Sequence, residues 1–211
     1  MLLFPLVSLR LLSMLAAPVD GSMLASIHKI DANTPVEIQS ALALSAGPPV
    51  AAGAAVYVLG PKGFRKLRDG SNGFSCLVTR DHLDDVSPQC FDAEGSATTL
   101  KALLFVEEQR ALGAQESEIQ KAVDAGYKAG RFKAPTKPGI VYMLSPYNHL
   151  WDPDGGKIVD FPGHLMFYAP YATPRDVGNG PGAPFLVNPG TAQTLMVVVP
   201  RGSSQCDTHA P

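Results

Sequence analysis

The sequence has few charged residues and contains no run of lysines or arginines. Charged residues make up 17% of its 211 positions, with 17 lysines and arginines against 19 aspartates and glutamates. This balance argues against a surface for nucleic acid or for an anionic membrane. Tryptophan occurs once and cysteine three times, whereas 20 glycines and 19 prolines predict many turns and short strands. The length and the 45% hydrophobic content suit one domain with a full core.

The first 25 residues are leucine-rich, but their apolar stretch is too short to span a bilayer. They resemble a secretory signal, although no basic residue precedes the apolar run and Arg10 interrupts it. Cleavage after Ala17 or Ala25 would suit the small residues there. A misjudged start codon and a buried amphipathic helix are the alternatives. We predict an exported protein, periplasmic or extracellular, with a signal peptide at 1–25, one domain at 26–200 and a disordered tail at 201–211, and with no transmembrane span in the mature chain.

Two of the three cysteines have a spacing that suits a disulfide in an oxidising compartment. Cys76 and Cys90 lie 14 positions apart, whereas Cys206 lies in a polar tail and is predicted to be unpaired. A zinc site that also uses His82 is the alternative, but structural zinc sites need four ligands and close cysteine pairs.

The order of predicted elements indicates an α+β fold. Apolar runs and turn signals predict strands first, then two helices, then strands again. A capping box at Ser117–Gln120 predicts the start of the second helix. The predicted helices are 35–46, 96–112 and 117–129, and the main predicted strands are 54–60, 64–69, 73–80, 139–145, 158–161, 164–170 and 193–200. We therefore predict one α+β domain, with a twisted, mainly antiparallel sheet or open barrel and one helical hairpin.

Several segments, in their order along the chain, resemble a group of small exported bacterial proteins of unknown function. They are LRDGSNGFSCLV, FDAEG, APTKPGIVYMLSPYN and FPGHLMFYAPYATPRDVG, followed by a closing PF, GT and VVVP. The resemblance covers roughly residues 38–200. It implies one domain and export, and it implies no activity, cofactor or catalytic residue.

Histidines and aspartates are densest between positions 149 and 164. His149, Asp152 and His164 could supply nitrogen and oxygen ligands for a divalent metal such as zinc, manganese or iron, if a hairpin brings them together. Asp154 and Asp160 lie in the same stretch. The alternative is structural, because Asp-Pro-Asp-Gly-Gly is a favourable turn sequence.

A serine-hydrolase site is a second hypothesis for the same region. Ser145 ends a predicted strand and could be the nucleophile, with His149 or His164 as its base and a nearby aspartate to orient that base. No Gly-x-Ser-x-Gly motif surrounds Ser145, which weakens this hypothesis.

Ligand binding requires fewer special residues than catalysis. Tyr147, Trp151 and Tyr168 belong to an aromatic-rich stretch, and such side chains bind small molecules when they line a pocket. In strands they more often pack in the core.

His164 follows a Pro-Gly turn and precedes a strand, so we expect one ring nitrogen to bind the loop backbone while the other stays free. The residues favour a non-catalytic module that binds a small molecule or a protein, and a metal-dependent or serine-type hydrolase is the alternative.

Overall fold

The computed structural model describes residues 19–152, 155–178 and 182–199. The predicted disordered tail and the first 18 residues of the predicted signal lie outside this description. Within it the chain forms six α-helices and ten strands. The helices are α1 (Gly21–Ala25), α2 (Val36–Ser45), α3 (Ala93–Ala97), α4 (Thr99–Ala111), α5 (Glu116–Lys128) and α6 (Pro174–Val177).

Eight strands form one sheet in the order β2-β1-β3-β4-β5-β8-β10-β9, and β6 and β7 form a separate hairpin. The strands are β1 (Ala55–Gly60), β2 (Gly63–Arg68), β3 (Ser75–Thr79), β4 (Ser87–Phe91), β5 (Ile140–Met143), β6 (His149–Asp152), β7 (Lys157–Asp160), β8 (His164–Tyr168), β9 (Phe185–Val187) and β10 (Leu195–Val198). β1 and β3 are parallel, and every other pairing between these ten strands is antiparallel. The predicted α+β class with one helical hairpin, α4–α5, is confirmed, and the sheet is open because β2 and β9 form its edges.

The helical part differs from the prediction in detail. The segment predicted as one helix from residue 96 is split at Thr98, whose backbone leaves the helical region and separates α3 from α4. The capping box of α5 uses Gln115 and Glu118 rather than Ser117 and Gln120. The side chain of Gln115 caps the third helical position, and that of Glu118 binds back to the backbone of Gln115.

The central strand β4 was not predicted from the sequence. It contains Pro88, which has no backbone N–H and is normally excluded from the middle of a sheet. The register explains why it fits. β5 pairs with β4 at Cys90 and Phe91, so near Pro88 the strand pairs with β3 alone. The proline therefore removes no hydrogen bond that a second neighbour would need.

Two hydrophobic cores cover the two faces of the sheet because neighbouring residues of a strand point to opposite faces. The first core packs under α2 and includes Val56, Val58, Val78 and the two half-cystines. The second includes Leu77, Phe91, Val141, Met166 and Val197. A third, smaller cluster joins α4 to α5. A cleft lies on the face of the sheet that carries the second core.

Cys76 and Cys90 form the predicted disulfide between β3 and β4. The two residues are direct partners in the antiparallel register, and both are fully buried. Such a bond is typical of proteins of oxidising compartments outside the cytoplasm. Across the described ranges, none of the helices combines the length and apolar character that crossing a membrane requires.

Part of the segment predicted as a signal peptide is packed on the domain. α1 begins after Asp20, whose carboxylate accepts a hydrogen bond from the backbone of Ser22. Leu24 is buried in the first core, and Val19 packs against the same core. Cleavage after Ala25 would remove these contacts, whereas cleavage after Ala17 would keep them.

Candidate functional site: a cleft on the sheet

A cleft of about 140 Å³ lies on the face of the sheet that carries the second core. Its floor consists of side chains from consecutive strands in register. Phe91 pairs with Val141, Val141 with Met166, and Met166 with Val197. α4 contributes one wall, and the segment around the β6–β7 hairpin contributes another. The lining side chains outside this row include Thr99, Leu103, Leu150, Phe161, Phe185 and Leu195.

The imidazole and carboxylate of the cleft lie at one end, the polar end, and two amide side chains line it farther along. His164 pairs with Met143, and Gln89 precedes the residue that pairs with Tyr142, so Gln89, Met143 and His164 occupy adjacent strands. With about 4.8 Å between strands, Gln89 and His164 lie roughly 10 Å apart. Asp81 and Ser87 also line the cleft. The amides, Asn188 and Gln193, line the cleft beyond Leu195, and the apolar row that includes Met166 lies between them and His164.

His164 contributes an acceptor nitrogen to this cleft. Its Nδ1 lies 2.8 Å from the carbonyl oxygen of Pro162 and must donate to it, since a carbonyl can only accept. This is the predicted bond to the loop backbone. In the neutral ring Nε2 is then an acceptor, and it has no hydrogen-bond partner among the described residues. The ring is 2% exposed, packs edge-on against Phe161, and has a pKa lowered by burial, which opposes protonation.

Gln89 contributes a second acceptor. Its Nε2 donates to Thr79 Oγ1 at 2.7 Å, and that hydroxyl donates to the carbonyl oxygen of Ser87. These bonds fix the amide and leave Oε1 of Gln89 without a partner among the residues described. The hydroxyls of Ser87 and Thr99 also line the cleft and can either donate or accept.

Asp81 contributes a carboxylate at the open end of the cleft. The residue is exposed to solvent and lines the cleft. Desolvation by neighbouring protein atoms and then the charge of Asp85 raise the pKa of the Asp81 carboxyl, and Arg110 opposes that shift. Arg110 binds the backbone oxygen of Asp81, and no hydrogen-bond donor among the described residues reaches its carboxylate. Sequence analysis missed Asp81 and Gln89 because only the fold brings them into the same cleft as His164.

The three residues predicted as metal ligands make different contacts. His149 Nδ1 lies 2.7 Å from Asp160 Oδ1, and its Nε2 is buried without a partner among the residues described. Asp152 is three residues further along β6 and so points to the opposite face of that strand. His164 lies in the main sheet, at the cleft. Within the described part of the chain, which leaves out Asp154, no group of three histidine, cysteine, aspartate or glutamate residues could hold a metal ion.

Ser145, the predicted nucleophile, is fully buried on the side of the sheet that faces α2. Its oxygen lies 2.7 Å from Ser45 Oγ and accepts a hydrogen bond from the backbone N–H of Tyr147. Neither His149 nor His164 is among its hydrogen-bond partners in the described part of the chain. These bonds join the end of β5 to the end of α2, which is a structural role.

The three aromatic residues predicted to bind a ligand lie in three places. Tyr147 packs against the first core, and Tyr168 packs against the second. The hydroxyl of Tyr168 donates to Asp92 Oδ1 at 3.1 Å. Trp151 lies on the hairpin, where its exposed ring stacks on His82 at 4.5 Å. The structure therefore does not unite them in one binding surface.

A second concavity, of about 260 Å³, surrounds an ion-pair network. Buried Glu107 binds Arg80 at 2.7 Å and Arg110 at 2.6 Å, and Arg110 also binds Glu116. The two arginines further donate to the backbone oxygens of Ile30, Arg80 and Asp81. Because these guanidinium groups are already paired, the network joins β3 to α4 and α5 rather than offering an open anion site.

Comparisons of the chain with models of protein families, with curated proteins and with solved structures find no match. The resemblance to small exported bacterial proteins accordingly stays a prediction. The function of this protein is therefore inferred from the geometry of the described residues.

Proposed function

We propose that the protein binds a small, largely apolar ligand that carries a hydrogen-bond donor, and that it acts as a binding module without catalysing a reaction. The observation that supports this proposal is the acceptor nitrogen of His164, which is held by Pro162 at the polar end of an apolar cleft. This nitrogen has no partner among the described residues and lines the cleft, so a ligand that donates a hydrogen bond to it gains affinity.

The size of the cleft limits the ligand to about one ring with a short substituent. An apolar protein cavity of about 150 Å³ holds a benzene molecule. The cleft has about 140 Å³, with apolar walls from Met166, Val197 and Phe91. Larger ligands would have to project beyond its open end.

Toluene and phenol provide a direct test, because the two ligands differ by one donor group. We expect both to bind in calorimetric titrations, with phenol tighter by about fivefold, the effect of one net hydrogen bond. His164→Phe should abolish the preference for phenol by removing the acceptor. Met166→Trp should block both ligands by filling the floor, whereas Leu112→Trp, at a site that is 75% exposed, should leave both affinities unchanged.

Failure of both ligands to bind the wild-type protein would contradict the proposal, as would equal binding to the Met166→Trp variant. Hydrolysis of p-nitrophenyl acetate supplies the test of the alternative, a hydrolase that uses His164 or His149. Turnover that disappears in His164→Phe and persists in Leu112→Trp would favour the hydrolase.

We also propose that the chain is exported and acts in the periplasm or outside the cell. The disulfide and the leucine-rich start of the sequence support this location. A module outside the cytoplasm would meet small ligands directly from the surroundings.

A further inference from the structure

We propose that the cleft selects organic amines, with the ammonium group of the ligand paired to Asp81 and its apolar body against the apolar side chains of the cleft. This inference rests on the proposed binding function and narrows the ligand to cationic amphiphiles. Two observations support it: the cleft is lined by the carboxylate of Asp81, and it is also lined by the neutral acceptor of His164.

The acidic residues near Asp81 differ from it in having partners. Asp84 forms an ion pair with Lys29 at 2.6 Å. Asp85 accepts hydrogen bonds from the backbone N–H groups of His82 and Trp151. Glu107 is held by two arginines. Among the described residues, Asp81 is the one that lines the cleft with a carboxylate. No hydrogen-bond donor of the described residues contacts that carboxylate.

The charges around the cleft favour a cation over an anion. No lysine or arginine lines the cleft in the described ranges. The nearest cation known to act on Asp81 is Arg110, whose guanidinium already binds Glu107 and Glu116. His164 is neutral near pH 7 because burial opposes its protonation. The other two acceptors, His164 Nε2 and Gln89 Oε1, are neutral, so Asp81 carries the one negative charge among the described residues that line the cleft.

The effect of Asp81 on the stability of the free protein also favours a binding role for this residue. The pKa of Asp81 is raised by desolvation and by the charge of Asp85, and its carboxylate accepts no hydrogen bond from the described residues. Removing its charge should keep or increase thermal stability at neutral pH. The fold does not need the charge of Asp81, and a bound cation would pair with it. Both properties are expected of a residue that is kept for binding.

Three probes with the same ring and chain test the proposal: 2-phenylethylamine, 2-phenylethanol and phenylacetate. At neutral pH and low salt we expect the amine to bind the wild-type protein about tenfold more tightly than the alcohol, and phenylacetate to bind most weakly. Raising the salt concentration should reduce the preference for the amine, because ions screen a partly exposed pair.

Asp81→Asn should bring the amine and the alcohol to equal affinity while the thermal midpoint stays the same or rises. Asp84→Asn is the matched control, since it removes a carboxylate from the same loop but outside the cleft, and it should keep the tenfold ratio. Equal affinities in the wild-type protein, or an unchanged ratio in Asp81→Asn, would overturn the proposal. If the alcohol binds and the amine binds no more tightly, the proposed ligand class is wrong but the proposed binding function is not. If neither binds, the binding function itself fails.

Discussion

At the scale of the residue, the cleft is distinguished by polar atoms that the fold leaves without partners. His164, Gln89 and Asp81 are each held by one set of bonds and present a further acceptor to the cleft. Unpartnered polar atoms also occur outside the cleft, at Tyr127, Asn148 and His149, but those atoms are buried from solvent. The three residues of the cleft differ because they line a concavity that a ligand can enter.

His164 should make the stability of the protein depend on pH. Its folded pKa lies below the ordinary value, so the unfolded chain takes up a proton first as the pH falls. The contribution of the neutral ring is therefore fully present above about pH 6.5 and decreases as the pH falls toward the folded pKa. We expect urea unfolding from about pH 8 to about pH 5 to show a falling free energy of unfolding in the wild-type protein.

His164→Phe lacks this titration, so its unfolding free energy should fall less steeply over the same pH range. His82→Phe is a suitable control because His82 is partly exposed and lies outside the cleft. The prediction fails if the wild-type protein and His164→Phe have identical pH slopes.

At the scale of the element, one buried carboxylate holds the helical hairpin to the sheet. Glu107 on α4 is 3% exposed and pairs with Arg80, just after β3, and with Arg110. Glu107→Gln leaves two largely buried guanidinium groups without their shared charge, so we expect it to cost about 3 kcal/mol or more. Chemical denaturation measures the loss.

Glu116→Gln is the matched control for this network. Glu116 also pairs with Arg110, but its side chain is 59% exposed, so the variant should cost less than about 1 kcal/mol. Equal losses in the two variants would show that burial of Glu107 does not decide the strength of the network.

The sequence predicted those elements whose signals are local. The apolar runs of β1 and β8 and the helical spacing of α4 and α5 depend on near neighbours, and all four were found. β4 was missed because Pro88 and Gln89 are unusual for a central strand, and the register that accommodates them depends on β5, 50 residues further on. The cleft was missed for the same reason: His164 was identified, but Asp81 and Gln89 line the same cleft only because the sheet brings distant segments together.

At the scale of the whole molecule, the two faces of the sheet differ: one is packed for stability and the other carries the cleft. The face under α2 is tightly packed and contains the disulfide, Ser145 and Tyr147. The opposite face is covered by α4 at one side and open at the cleft. A rigid, cross-linked face can support an incompletely filled one, because binding sites are held most accurately on well-packed strands.

The disulfide links this architecture to the proposed location. It joins residues 14 positions apart, and in the chain-entropy model a bridge of this length stabilises a protein by about 3 kcal/mol. We expect the Cys76→Ala/Cys90→Ala double variant to lose at least that amount in chemical denaturation, whereas Cys206→Ala should lose nothing. Thiol trapping of fractionated cells tests the location. A periplasmic or secreted chain with Cys76 and Cys90 blocked against alkylation supports export, and a chain retained in the cytoplasm with both thiols free contradicts it.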